Sequence, residues 1–286
     1  MKQPPFSKDG NDWKKQTFYE GNIEANIWSY EFSGPEERKE IIRKLEISSQ
    51  FNMKYKGLRQ FYGDELIAYK EKVGSNKHAN DFLRVISSHL TDNFEDNQLT
   101  SWKDCLPPFW EELIFTHFPN VMYISKQRKQ SVIFLSQLNK FIKWLDYRVG
   151  TSWHQTIKQY TIEASEKLVY CEKLLNYLFL LEHPTIYKND WNIEDELIRS
   201  KNKLDSLATF HGSIFQVKEV YDEYILITDI NNLRDYEITG TLTEVINPGI
   251  LLHGGIGKED DNDFLWEWSL TEGVYPGRAK KYINFI

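Results

Sequence analysis

The most informative segment of the chain runs from Leu135 to Leu178 and reads LSQLNKFIKWLDYRVGTSWHQTIKQYTIEASEKLVYCEKLLNYL. Apolar residues recur there at spacings of three and four, first up to Val149 and again from Trp153 onward, as they do in amphipathic helices. Gly150 separates the two runs, and glycine is typical of the C′ position that ends a helix. Two long helices with so short a break predict an antiparallel helical hairpin.

The hairpin helices and their neighbours have recognisable start signals. Ser125 is predicted to be the N-cap of the first hairpin helix, and Thr151 or Ser152 that of the second. An earlier helix is predicted to open at Pro35, because proline is favoured at the first helical position. Further helical patterns cover 64–73, 78–90, a segment that opens at 107–108, and 193–207.

Beyond Leu207 the hydrophobic period changes from 3.6 to 2. Residues 224–230 read YILITDI, a β-branched segment that is apolar on both faces, and a final strand pattern has Phe264, Trp266, Trp268 and Leu270 on one face. Eight of the chain's fifteen glycines fall within residues 206–286, and glycines inside strand patterns mark bulges and sharp bends. Five short strands with such bends predict a small antiparallel β-barrel, either SH3-like or OB-like.

These patterns predict an α+β protein with three segments. Residues 1–34 form an N-terminal arm with a short strand at Ile27–Phe32, 35–207 form a helical domain, and 208–286 form the small barrel domain. The formal net charge of −7 belongs entirely to residues 206–286, whereas the first 205 residues carry 29 charges of each sign. The barrel is therefore expected to be acidic and the helical domain neutral.

Composition limits the classes of protein to which the chain can belong. An aromatic content of 15% predicts a folded core, because disordered segments are poor in aromatic residues. The N-terminal residues lack the apolar core of a signal peptide, and no apolar run is long enough for a membrane span. Cys105 and Cys171 stand alone without metal-ligand spacing. The sequence predicts a cytoplasmic protein with no disulfide, metal or cofactor.

The sequence His253-Gly254-Gly255-Ile256-Gly257 is the closest approach to a catalytic motif. It is similar to the glycine-rich oxyanion loop of esterases, whose backbone amides bind a developing negative charge. The G-x-S-x-G element that accompanies such a loop is missing. The favoured interpretation is that these glycines bend a strand. His253 is a candidate binding residue.

Two other sets of residues are candidate binding positions. Lys126, Arg128 and Lys129 form a basic cluster near the start of the first hairpin helix, where they are either a solvated face or a site for phosphates. Tyr275 and Arg278 flank a Pro-Gly turn in the last segment and are expected to be exposed contact residues.

Three functions remain open at this level. The favoured one is a protein-interaction or regulatory module without catalytic activity, whose partner is another protein, since small barrels commonly serve as binding modules. The second is an enzyme, such as a hydrolase, whose site is assembled from residues distant in sequence. The third is a nucleic-acid binder that uses the basic helical face, with the acidic barrel acting as a modulator or a DNA mimic.

Overall fold

A computed structural model describes the backbone of residues 13–20, 23–30, 32–97, 99–239, 243–259 and 264–283, with side chains from residue 32 onward except 93–97. Its helices are α1 Pro35–Ser49, α2 Gly63–Val73, α3 Lys77–Asn97, α4 Pro107–Glu112, α5 Phe118–Asn120, α6 Gln130–Val149, α7 His154–Glu182 and α8 Ile193–Asp205. A π turn, Leu113–His117, joins α4 to α5. Within the described ranges, no helix combines the length and apolarity needed to cross a bilayer.

The strands fall into two groups. Strands β1 Trp13–Glu20 and β2 Ile23–Tyr30 pair with each other as an antiparallel hairpin. Of the strand predicted at Ile27–Phe32, the part up to Tyr30 is the end of β2, Glu31 lies outside the described residues, and Phe32 is not in a strand. Strands β3 Thr209–Val220, β4 Tyr224–Asp229, β5 Asp235–Thr239, β6 Leu251–Lys258 and β7 Trp266–Tyr275 make the second sheet. The predicted α+β class is confirmed.

The helical hairpin formed by α6 and α7 is confirmed, and its turn has the predicted chemistry. Gly150 adopts φ 71° and ψ 33°, the left-handed conformation in which a side chain would be strained. Its N–H donates to the carbonyl of Asp146 at 3.0 Å. This geometry ends α6 and reverses the chain.

The predicted caps of the two hairpin helices are wrong. Helix α6 begins at Gln130 rather than after Ser125, whose hydroxyl instead accepts a bond from the N–H of Arg128 at 3.1 Å. The first N–H groups of α6 donate to the Glu172 carboxylate of α7, from Gln130 at 2.9 Å and from Ser131 at 3.0 Å.

The start of α7 is capped in the same way from α6. The Asp146 carboxylate accepts the N–H groups of Trp153 and His154 at 3.0 and 2.8 Å, and the Thr151 hydroxyl at 2.7 Å. An anion at a helix N-terminus satisfies free N–H groups and is favoured by the helix dipole. Each hairpin helix therefore caps the other.

The second sheet closes into a ring with the order β3-β4-β5-β7-β6. Four of its pairings are antiparallel, whereas β5 pairs with β7 in parallel through Ile238 with Trp266 and Thr239 with Glu267. The expectation of a wholly antiparallel sheet is therefore wrong at this pair. Strand β7 runs antiparallel to β6 and closes the ring against β5. Because the ring has five strands, an odd number, antiparallel pairing cannot continue all the way around it, and β7 has the same direction as β5.

Glycines allow β6 to lie close to its neighbours. The register between β6 and β7 shifts at His253/Gly254 and at Gly255/Ile256, so the bulges predicted from the glycines are confirmed. A side chain at Gly255 would meet the Phe210 ring at 2.3 Å, and one at Gly257 would meet Leu207 at 2.4 Å. The motif is a bent strand, and its glycines provide room for packed side chains.

One hydrophobic core extends through the helical part and the ring. Helix α7 lies against β7. Two polar side chains of α7 join the helical part to the ring. The Tyr170 hydroxyl donates to the carbonyl of Val245 at 2.9 Å and accepts the N–H of Asn247 at 2.8 Å. The Glu182 carboxylate accepts the N–H of Thr271 at 3.1 Å and also bonds its hydroxyl. The ring is thus fixed against the helical hairpin.

Candidate functional site

A cavity of about 770 Å³ lies between the first half of α3, the end of α5 and the first turns of α6. We call it the α3–α6 groove. Its volume falls within the range of roughly 300–1,000 Å³ typical of ligand sites. Lys126 and Lys129, two residues of the basic cluster noted in the sequence, line it, together with residues of α3.

Aromatic rings form the apolar part of the groove. Phe118 and Phe134 stack with ring centroids 4.0 Å apart and planes 4° from parallel, and Phe82 lies 5.9 Å from Phe134. Tyr123 stands beside them at the surface and is 58% exposed. Phe82, Phe118 and Phe134 are only 2%, 4% and 3% exposed, so they form the floor of the groove. An entering apolar group would displace water mainly from Val121 and Tyr123 at its edge.

The polar lining is predominantly cationic. Four cations contribute to it, Lys77, Arg84, Lys126 and Lys129. Asp81 is the one carboxylate among the described lining residues, and it pairs with Arg84 at 2.6 Å. Since the first 205 residues are neutral overall, this local excess of positive charge is a feature of the groove itself. Such a surface attracts anionic groups.

The loop before α6 is held in a fixed conformation. Tyr123 and Gln130 exchange bonds between backbone and side chain, and the N–H of Ser125 donates to the Asn176 side chain at 3.0 Å. Arg128 adopts a positive φ of 49°, which is uncommon for a residue with a side chain. Lys126 and Lys129 consequently line the groove, whereas Arg128 does not.

The cations of α3 were not anticipated from the sequence. Lys77, Asp81, Arg84 and Ser88 are spaced by four, three and four residues, which places them along one face of a helix. This polar stripe was a usable signal. The position of α6 opposite that stripe could not be read from either segment alone.

A hydroxyl and an imidazole meet at the inner side of the groove. The Oγ of Ser88 lies 2.8 Å from Nε2 of His117 and also donates to the carbonyl of Val85 at 2.9 Å. Burial lowers the pKa of His117, so its ring is neutral at pH 7. A serine beside a neutral histidine is the pair found in nucleophilic catalysis. The imidazole of His183 contacts Glu196, whereas His154 bonds Asp146 through its backbone N–H.

His89 makes the stability of this region depend on pH. Burial, with a smaller contribution from nearby His117, lowers the pKa of His89 to about 3, and its Nε2 bonds the carbonyl of Phe109 at 3.2 Å. The unfolded chain takes up this proton near pH 6.5. Stability from His89 is therefore complete above that pH and declines as the pH falls below it.

Because His89 is protonated only in the unfolded chain, the free energy of unfolding should fall by about 2 kcal/mol when the pH is lowered from about 7.5 to about 5. Urea unfolding at the two pH values measures this difference. In the His89→Gln variant the loss should shrink by that amount, whereas His78→Gln, a change at an exposed position, should retain the full loss. An unchanged pH dependence in His89→Gln would contradict the assignment.

The remaining sequence candidates lie away from the groove. His253 is half-buried on β6 and pairs with Glu272 of β7 at 2.9 Å. Tyr275 is only 4% exposed and donates to the Asn120 side chain at 2.8 Å, so the exposure predicted for it is wrong.

Arg278 joins the ring to the helical part. Its guanidinium binds the buried carboxylate of Glu111 and lies 2.5 Å from the Glu163 carboxylate. It also sits over the rings of Phe115 and Tyr160, at 4.8 and 5.2 Å from their centroids. These intramolecular contacts engage the guanidinium that the sequence suggested as a contact for a partner.

The described residues hold no cluster of metal ligands, and the chain has no recognised relative. In the described ranges, no three His, Cys, Asp or Glu residues converge as they would around a metal ion. Both cysteines are buried and unpaired. No family model matches the chain, and no curated protein or solved structure is significantly similar to it.

Proposed function

We propose that the protein is a non-catalytic interaction module that binds an acidic segment of a partner protein in the α3–α6 groove. The observation that carries this proposal is the concentration of four cations around an aromatic floor, in a part of the chain that is neutral overall. Complementary charge increases the rate and specificity of association. The apolar floor supplies a place for an anchoring side chain.

The shape of the groove favours a short peptide segment. One aromatic or aliphatic side chain would pack against Phe82, Phe118 and Phe134. Flanking carboxylates would then face the lysines of the loop and the cations of α3. Half-exposed Val121 and Tyr123 at the edge would contact the backbone of the segment. This arrangement combines a central apolar anchor with a charged rim, as protein interfaces do.

Each alternative function has one observation in its favour. The Ser88–His117 contact supports the enzyme hypothesis, although Ser88 also bonds the preceding turn of its own helix. Exposed Lys140 and Lys143 on α6 extend the positive surface beyond the groove and support the nucleic-acid hypothesis. A bounded cavity with an aromatic floor fits a single anchored segment better than an extended phosphate backbone.

Charge reversal in the groove tests the proposal. We expect Lys126→Glu/Lys129→Glu to weaken partner binding at least about 10-fold, roughly 1.4 kcal/mol. The matched control is Lys140→Glu/Lys143→Glu, which makes the same change of charge on α6 outside the groove. A fluorescent peptide of glutamates around one phenylalanine serves as the probe, and fluorescence anisotropy measures its affinity at two salt concentrations.

The same variants distinguish the alternatives. The peptide should bind the wild-type chain and the control but lose affinity for the groove variant. Equal binding to all three proteins would overturn the proposal. Salt-sensitive binding of a single-stranded oligonucleotide that both variants weaken would instead favour nucleic acid.

We also propose that the ring of β3–β7 is a small barrel of the OB-like rather than the SH3-like kind. Strand β6 lies beside β3, so the order β6-β3-β4-β5 is that of a Greek key. OB-folds are five-stranded Greek-key barrels. The parallel pair of β5 and β7, which closes the ring, supports the same choice.

A further inference from the structure

Helix α8 is amphipathic in sequence, yet it leaves apolar side chains uncovered. All its residues are described, and none of them is buried. Ile193, Leu197 and Ile198 are 57%, 64% and 60% exposed. An amphipathic helix normally packs its apolar side against another element. Three adjacent exposed apolar residues on one short helix therefore indicate a surface that is covered by a partner.

Another side of α8 is already attached to the protein. The Glu196 carboxylate contacts Nδ1 of His183 at 2.5 Å, and the guanidinium of Arg199 donates to the carbonyl of Glu182 at 3.1 Å. Ser200, one turn after Glu196, is half-buried on this side. These contacts fix the orientation of the helix, so that its apolar residues remain directed toward solvent.

The charges of α8 are complementary to those of a second, antiparallel copy of the helix. Its first turn is acidic, with Glu194, Asp195 and Glu196, and its second half carries Arg199, Lys201 and Lys203. An antiparallel pair of identical helices brings such opposite halves together, whereas a parallel pair opposes like charges. This arrangement is the self-complementary surface that a two-fold dimer requires.

The register of that pair follows from the helical spacing. Glu194, Leu197, Ile198 and Lys201 occur at intervals of three and four and share one side of the helix. If the two-fold axis passes between positions 197 and 198, Leu197 lies opposite Ile198 of the second copy. Glu194 then lies opposite Lys201 of the second copy, and this ion pair occurs twice.

We propose that the protein self-associates through this antiparallel α8 pair. A 13-residue helix is only about 20 Å long, so the buried area is at the low end for protein interfaces and the dimer is weak. Because α8 is separate from the α3–α6 groove, self-association and partner binding are independent. Failure of one leaves the other unaffected.

A charge-swap series tests this dimer with the full chain. Sedimentation velocity from about 5 to about 500 μM should show a mass that rises toward the dimer. Lys201→Glu and Glu194→Lys each place like charges opposite each other twice, and each should raise the dissociation constant at least about 10-fold. The double variant Glu194→Lys/Lys201→Glu restores opposite charges and should regain most of the affinity.

The outcomes separate this interface from any other. Both side chains are exposed, so circular dichroism should stay unchanged in every variant, and Glu194→Lys, which puts a cation in the first turn of α8, should lower the thermal midpoint by only a few degrees. A monomer throughout the concentration range would overturn the proposal. So would a dimer that the single changes do not weaken, or a double variant no stronger than either single one.

Discussion

Replacing Gly254 with alanine should lower the free energy of unfolding by at least about 3 kcal/mol, because the new methyl group has no space. A Cβ at this position would lie 1.9 Å from the carbonyl oxygen of Leu270 and 2.8 Å from the Trp268 ring. The first neighbour is backbone of β7, which cannot move away without breaking the pairing of β6 and β7. Urea unfolding followed by tryptophan fluorescence measures the loss.

Gly212→Ala is the matched control. Gly212 lies on β3, next to β6, and a Cβ there would meet its nearest neighbour, the Phe210 ring, at 3.6 Å. That distance is ordinary contact, so the free energy of unfolding should change by no more than about 0.5 kcal/mol. If the two variants were equally stable, the close approach of β6 and β7 would not be a determinant of the ring.

Replacing Glu172 with alanine should lower the free energy of unfolding by about 3 kcal/mol, because Glu172 is the buried side chain that caps α6. The residue is 1% exposed and accepts bonds from the backbone N–H groups of Gln130 and Ser131. Without the carboxylate, both donors are left at a buried helix N-terminus without their partner. The favourable interaction with the helix dipole is lost as well.

Two variants of the same helix calibrate this prediction. Glu172→Gln retains one acceptor oxygen and should lose less stability than alanine. Glu166→Ala changes an exposed carboxylate of α7 and should stay within about 0.5 kcal/mol of the wild-type protein. Thermal or urea unfolding of the three variants gives the comparison, and a loss for Glu172→Ala no larger than that for Glu166→Ala would refute the capping role.

The helical hairpin shows how far local pattern reaches. The hydrophobic period and Gly150 predicted both helices and their turn, because these signals lie within a few residues of the structure they specify. The caps were mispredicted because their acceptors are elsewhere. Glu172 is 42 positions from Gln130, and a nearby serine is the cap that sequence rules favour.

The groove shows the same division. Lys126 and Lys129 were identified from their spacing as a basic cluster, but their location beside Lys77, Arg84 and the aromatic floor depends on how α3 and α6 pack. For Arg278 the expectation from sequence and the position in the fold differ. Its position in a turn suggested an exposed contact, whereas the fold directs its charge to Glu111 and Glu163.

The amino-acid sequence by itself determined the α+β class, the helical hairpin, the bent glycine strand and the acidic character of the last segment. Each depends on periodicity, turn chemistry or charge, which are local properties of the chain. The tertiary structure alone decided the parallel closure of the ring, the reciprocal caps of α6 and α7, the groove and the uncovered side of α8. These features need side chains that are distant in sequence to meet, and only packing of the whole chain brings them together.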